Sequence, residues 1–271
     1  MDMNLIEIFQ YGFIVRAFIA GVIIACIAPM IGTFLVVRRY SLLADTLAHV
    51  ALAGVAIGLI FQGQPIIISV IFTVLASIGI EYLRKSGKFF AESVLAIFLS
   101  GSLALAVVLI SIADGFNVDL FSYLFGSITT VSASDIVVIS ILGAVVFFSV
   151  LFMYKYLFFI SFDEEVARVR GIRVSALNFA LVVMAAVTIA ISMRIVGVLL
   201  IGALMVIPVL TAMQFARSFK QTFVYAIFVS LLAVVFGIYF SYYLDLATGG
   251  TIVVTAIFLF LVSLVLKMKK S

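Results

Sequence analysis

The sequence has one cysteine, Cys26, so no disulfide can form within the chain. It has no tryptophan, which leaves tyrosine and phenylalanine to anchor the chain at a membrane–water boundary. Charged residues make up only 10%, too few for a soluble domain of 271 residues. No Gly-x-x-x-x-Gly-Lys-Ser/Thr loop occurs, so the chain has no phosphate loop with which to use a nucleotide. No His-Glu-x-x-His occurs either, which speaks against an intramembrane metalloenzyme. The first residues carry Asp2 and Glu7 rather than a basic stretch, so no cleavable signal peptide is expected.

What remains is apolar: 66% of the residues are hydrophobic, and the mean hydropathy is +1.43. Runs of about 20 apolar residues recur from end to end, the length of a membrane-crossing helix. A barrel would instead need short alternating segments. The expected fold is therefore all-α: a polytopic membrane helix bundle of eight or nine transmembrane helices, in one transmembrane domain over residues 1–271. Nine spans can be drawn: Phe13–Val37, Leu42–Phe61, Pro65–Leu83, Ser93–Ala113, Asp135–Phe158, Val174–Met193, Ile195–Met213, Thr222–Leu244 and Thr251–Leu266. The first of these is the least certain to cross, which is why eight is the alternative count. With the N-terminus outside, 14 of the 16 lysines and arginines fall in cytoplasmic connections, and only Arg16 and Arg194 lie outside. That asymmetry sets the orientation. It also accounts for the net charge of +4 without any nucleic-acid partner.

One histidine exists, His49, and Asp45 lies one helical turn before it in Ser41-Leu-Leu-Ala-Asp45-Thr-Leu-Ala-His49. In a helix this spacing puts carboxylate and imidazole on one face. Ionisable groups inside a bilayer are costly and normally functional. Together they offer an oxygen and a nitrogen to one divalent ion. A four-coordinate shell needs two more donors, and a two-fold copy of the chain would supply them. Two Asp and two His suit Zn²⁺ and, with added oxygens, Mn²⁺ or Fe²⁺. Cys26, Met193, Met205 and Met213 read as packing residues. Pro208 is expected to bend the seventh span. Gly54 and Gly58 are spaced for close helix approach.

Two connections are longer than the rest. The outer one, Ile112–Ser134, carries Asp114, Asp119, Phe121, Tyr123 and Phe125, and reads as a short helix at the outer face. The inner one, Ser161–Arg173, opens with Asp163, Glu164 and Glu165 and continues with Ala167, Arg168 and Arg170. Acids first and bases last suit a short capped helix, with Gly171 as its stop.

Several blocks, taken together, resemble the permease subunits of ABC importers for zinc, manganese and iron. They are Gly32-Thr-Phe-Leu-Val-Val-Arg38-Arg39 running on to His49, Ala53-Gly54-Val-Ala-Ile-Gly58, Val118-Asp119-Leu-Phe-Ser-Tyr-Leu-Phe-Gly126, Ala167…Gly171, and Val196-Gly-Val-Leu-Leu…Met205-Val-Ile-Pro208…Ala212. The wording is closest to the zinc-uptake members, although Ser127 stands where an acid is expected, and that departure leaves the metal open. The resemblance implies a multi-pass protein of a prokaryotic cell membrane, paired with a second permease copy. It implies a cytoplasmic ABC ATPase, an extracytoplasmic metal-binding protein, and no catalytic activity in this chain. It places Asp45 and His49 as transmembrane metal ligands. It makes Asp163, Glu164, Glu165, Ala167, Arg168 and Gly171 the ATPase-coupling segment, and Asp119, Phe121, Tyr123 and Phe125 part of an outer docking or gating surface. The transported ion is the only metal expected, with no permanently bound cofactor. The competing reading is an ATP-independent carrier that exchanges protons for metal through the same Asp–His pair.

Overall fold

A computed structural model describes residues 11–61, 63–112 and 120–268. Asp119 lies outside the described residues. Eleven helices and no strand occur among the described residues. In chain order they are α1 Gly12–Val37, α2 Ser41–Ile60, α3 Pro65–Lys85, α4 Ala91–Ile112, α5 Leu120–Phe125, α6 Ala133–Phe162, α7 Glu164–Val169, α8 Val174–Val196, α9 Ile201–Met213, α10 Phe219–Leu244 and α11 Thr248–Met268. Eight of them are long and apolar enough to cross a membrane; α9 is apolar but short.

The helix starts are written locally. Pro65 opens α3, where its missing N–H costs nothing. Ser132 and Asp135 form a reciprocal capping box at the start of α6: the Asp135 amide donates to Ser132 Oγ (3.2 Å), and the Ser132 amide donates to Asp135 Oδ2 (3.0 Å). Ser218 caps α10 in the same sense.

Small side chains decide the interior. α2 buries Ala44, Ala48, Ala51, Ala53, Gly54, Ala56 and Gly58, and it packs against α3, α4, α8 and α9. Where side chains are small, backbones approach closely, and van der Waals contact replaces the hydrophobic drive that lipid cannot supply. Ser69 Oγ donates across that seam to the Ala51 carbonyl (2.8 Å). α1, α2 and α8 form the centre, while α4, α6 and α11 are largely turned outward. At the inner end Phe34, Tyr154, Phe158, Phe219 and Phe223 form an aromatic cluster that joins α1, α6 and α10.

The nine expected spans become eight full helices and one half-helix. Ile195 and Val196 finish α8, residues 197–200 are not helical, and α9 begins only at Ile201. Thirteen residues rise about 20 Å, short of a hydrocarbon core of about 30 Å. α9 runs uninterrupted through Pro208, so the break lies before the helix, not at the proline. Non-helical backbone survives inside a membrane protein only where protein satisfies its polar groups. Here the segment containing α5 does so. The Val198 amide donates to the Tyr123 carbonyl (2.9 Å), Leu199 to Leu124 (3.2 Å), and Ser127 to Arg194 (3.0 Å). Two glycines make the approach possible. Gly126 and Gly197 have φ of +75° and +83°. A Cβ on Gly126 would overlap the Ile195 carbonyl, and one on Gly197 would overlap the Leu124 carbonyl.

Arg16 and Arg194, the two basic residues assigned to the outer side, both bond to the outer connection: Arg16 Nε donates to the Val131 carbonyl (2.9 Å), and Arg194 Nη1 to that of Thr130 (3.1 Å). Gly197→Ala is expected to lower stability by roughly 1–3 kcal/mol, from strained φ together with the clash. Thermal unfolding of the purified protein in detergent checks this, and an unchanged midpoint would contradict it.

Candidate metal site

A tight connection delivers α2 to the bundle centre. α1 ends at Val37, and Arg39 takes a left-handed conformation with φ +59°. The Tyr40 amide then returns to the Leu35 carbonyl (2.7 Å), closing the end of α1 before α2 starts at Ser41. α2 is buried along most of its length, but Leu42 and Asp45 are exposed and His49 is half-buried. These three positions make one open stripe on the inner half of the helix.

Asp45 and His49 lie close enough to feel each other's charge. His49 Nδ1 is buried without a hydrogen-bond partner. Asp45 forms no hydrogen bond or ion pair among the described residues. Its neighbour across the gap is α9: a Cβ on Gly202, the second residue of that helix, would overlap Asp45 Oδ1. A buried imidazole nitrogen normally has a partner. Here the Asp45 carboxylate and His49 Nδ1 share one face with no hydrogen-bond partner among the described residues. Among the described residues no group of three or more His, Cys, Asp or Glu side chains is gathered for a metal ion. Cys26, free and half-buried in α1, is not part of such a group.

The inner connection folds as expected. Asp163 caps α7, its Oδ1 accepting from the Val166 amide (2.9 Å). Glu164 and Glu165 occupy the first turn and Arg168 the last, complementing the helix dipole. Ala167 is buried and Gly171 takes φ +77° to turn the chain away. The anchor of α7 lies elsewhere and was not legible beforehand. Arg38, its side chain only 4% exposed, pairs with Glu164. Arg38 Nη1 also donates to Asn178 Oδ1 in α8 (2.8 Å), and Asn178 Nδ2 donates to Glu164 Oε1 (3.3 Å). Charge patterning marked Arg38 only as a topology signal, and a lone asparagine in a span carries no motif. The opposite side of α7 exposes Glu165, Val166, Arg168 and Val169.

The outer aromatic positions divide. Phe121 falls within α5, Phe125 is exposed, and Tyr123 is buried. The Arg194 guanidinium lies 4.7 Å from the centre of the Tyr123 ring, and its Nε lies 3.5 Å from Asp135 Oδ2. Burial pushes the Tyr123 phenol above its ordinary range, Arg194 pulls it back and Asp135 pushes it up again. The ring therefore stays neutral, and its contact with Arg194 is of cation–π type.

Comparison with known proteins follows the same lines. A family described as the ABC 3 transport family matches residues 10–267. A "probable metal transport system membrane protein" of Treponema pallidum is 40% identical over 254 residues, covering 93% of this chain and 95% of its own length. The high-affinity zinc uptake system membrane protein ZnuB of Haemophilus influenzae is 34% identical, covering 92% of this chain and 95% of its own. The manganese import system permease protein ScaB of Streptococcus parasanguinis is 32% identical, covering 94% and 90%. Among solved structures, PsaBC of Streptococcus pneumoniae in complex with Fab superposes with a TM-score of 0.85 at 30% identity, covering 96% of this chain and 95% of that one.

Arg38→Ala is expected to loosen α7. With Glu164 more than a third exposed, water compensates part of the loss, and about 1–3 kcal/mol is the expected cost. Hydrogen exchange should rise across residues 163–171 and stay unchanged in α3. Unaltered exchange over 163–171 would contradict the anchoring role.

Proposed function

The chain belongs to the ABC 3 transport family, and from that premise we propose how it binds and passes its ion. It is the permease of a metal ABC importer, a multi-pass protein of a prokaryotic inner membrane. Zinc, manganese and iron are the metals its relatives are named for. Membership of this family gives no support to the ATP-independent carrier.

Asp45 and His49 are the transmembrane ligands in this reading, and a second copy of the chain completes the shell. One observation carries it: a carboxylate without a protein partner and an imidazole nitrogen buried without one, on the open stripe of an otherwise buried helix. Two-fold symmetry about that stripe turns two donors into four, two nitrogens and two oxygens. Two carboxylates would offset the charge of a bare divalent cation where the dielectric is low. An N₂O₂ set favours zinc, in keeping with the zinc-uptake relative. Two ligands from each side of an interface that can open also make a weaker, switchable site than a closed cage in one chain.

The work comes from outside the chain, because it has no phosphate loop. A cytoplasmic ATPase docking on α7 would supply it. The exposed Val166 and Val169, flanked by Glu165 and Arg168, offer apolar contact with charges of both signs around it. Because Arg38 and Asn178 tie α7 to α1 and α8, a push on α7 reaches the helices beside α2. An extracytoplasmic binding protein would deliver metal at the outer face. The exposed Phe125 and the outer connection are the surface it meets, and the buried Tyr123 acts through the α8–α9 break.

Asp45→Ala and His49→Ala should each abolish uptake of radioactive zinc by cells expressing the complete importer, while the variant chain still purifies with its partners. Normal accumulation in either variant would overturn the ligand assignment. In the unmodified importer, excess unlabelled zinc should suppress labelled manganese uptake more strongly than the reverse. The opposite ranking would assign the site to manganese.

A further inference from the structure

Gly202 sits at a junction that its residue type alone does not explain. It is the second residue of α9, one residue beyond the non-helical segment 197–200. A Cβ built there would overlap Asp45 Oδ1 and lie 3.2 Å from Asp45 Cγ. Its φ is not in the left-handed region, so backbone freedom is not what the position demands. What it demands is space, and the group filling that space is the proposed metal ligand.

The start of α9 has further properties that bear on a carboxylate. Leu200, its N-cap, supplies no side-chain hydrogen bond. The Ile201 amide returns to the Gly197 carbonyl and the Leu204 amide to that of Leu200. Between them, the amides of Gly202 and Ala203 have no backbone acceptor among the described residues. Free amides at a helix N-terminus carry partial positive charge, and in an apolar bundle that charge is little screened. The helix start is also fixed in place. Val198 and Leu199, four and three residues before Gly202, are bonded to the Tyr123 and Leu124 carbonyls.

We propose that Gly202 is a positioning residue for Asp45: its missing side chain lets the carboxylate seat Oδ1 against the start of α9, which leaves Oδ2 for the metal. The inference rests on the reading of Asp45 as a ligand and adds to it. Asp45 then occupies one rotamer before the ion arrives. Its place is tied through residues 198–199 to the outer connection. A movement of the outer connection shifts the seat, so the grip on the ion depends on the state of the outer face. Partners that orient a metal ligand are typically worth 10–100-fold in affinity.

The test is a four-way comparison of the full-length permease, purified in detergent: unmodified, Gly202→Ala, Asp45→Ala and the double variant. Zn²⁺ alone is titrated by calorimetry, and thermal unfolding is followed in parallel. Gly202→Ala should weaken zinc binding by roughly 10–100-fold and lower the unfolding midpoint. In the Asp45→Ala background the same substitution should change neither, because the carboxylate that it displaces is gone. Equal destabilisation in both backgrounds would mean that Gly202 merely packs and would overturn the proposal. So would unchanged zinc affinity in Gly202→Ala alongside a loss in Asp45→Ala. If Asp45→Ala itself left zinc affinity intact, the ligand reading would fall first, and the result would be distinguishable as such.

Discussion

Residues 197–200 are backbone without a helix in a bundle that offers almost no water. Their amides and carbonyls must find partners inside the protein, because an orphan group there costs several kcal/mol. The Val198 and Leu199 amides find theirs in the Tyr123 and Leu124 carbonyls, about seventy positions earlier in the chain, and two glycines allow the approach. Much else follows from that junction. It separates α8 from α9, makes α9 a half-helix, and brings the start of α9 to the open face of α2. It also gives residues 123–127 a fixed place in the fold. Arg194 fastens the same corner with Asp135, the Thr130 carbonyl and the Tyr123 ring.

Against that frame the chemistry of α2 is simple. A carboxylate and an imidazole one turn apart are costly guests in an apolar bundle. Several buried polar groups find partners within the fold: Ser69 reaches Ala51, Thr251 reaches Gly237, and Glu81 pairs with Arg84. His49 Nδ1 has no hydrogen-bond partner, as is true also of Ser230 Oγ and Arg194 Nε, and the start of α9 lies against Asp45. What sets His49 apart is a carboxylate one turn away on the same open stripe. At the inner face the polar groups pair with one another. Arg38, Glu164 and Asn178 satisfy one another and hold α7 in place, while Val166 and Val169 remain uncovered.

Much of this was legible in the sequence, for physical reasons. Apolar runs of membrane length have one stable outcome in lipid, so the long helices appear within a few residues of where they were drawn. α6 is the largest departure, running four residues past the expected Phe158 to Phe162. The i,i+4 spacing of Asp45 and His49 placed them on one face without any tertiary knowledge. The acid-to-base order of residues 163–168 foretold a capped helix, and Gly171 its end. The break at 197–200 was not legible. Ile195–Leu200 is an apolar run with a single glycine, and local propensity permits it to stay helical. Only the pairing with residues 123–127 makes the non-helical path affordable. Arg38 was read for its charge and not for its partners, because Glu164 and Asn178 lie more than a hundred residues away. Gly202 is one of 18 glycines, and nothing near it in sequence points to Asp45.

In the proposed importer one metal ion is held by the Asp45 and His49 side chains of two copies of this chain. X-ray absorption at the zinc edge, on full-length permease loaded with substoichiometric zinc, tests it most directly. The expected spectrum has a nitrogen–oxygen shell at about 2.0 Å, with outer scattering from two imidazole rings that disappears in His49→Ala. A sulfur shell at about 2.3 Å, or imidazole scattering that survives in His49→Ala, would contradict the account.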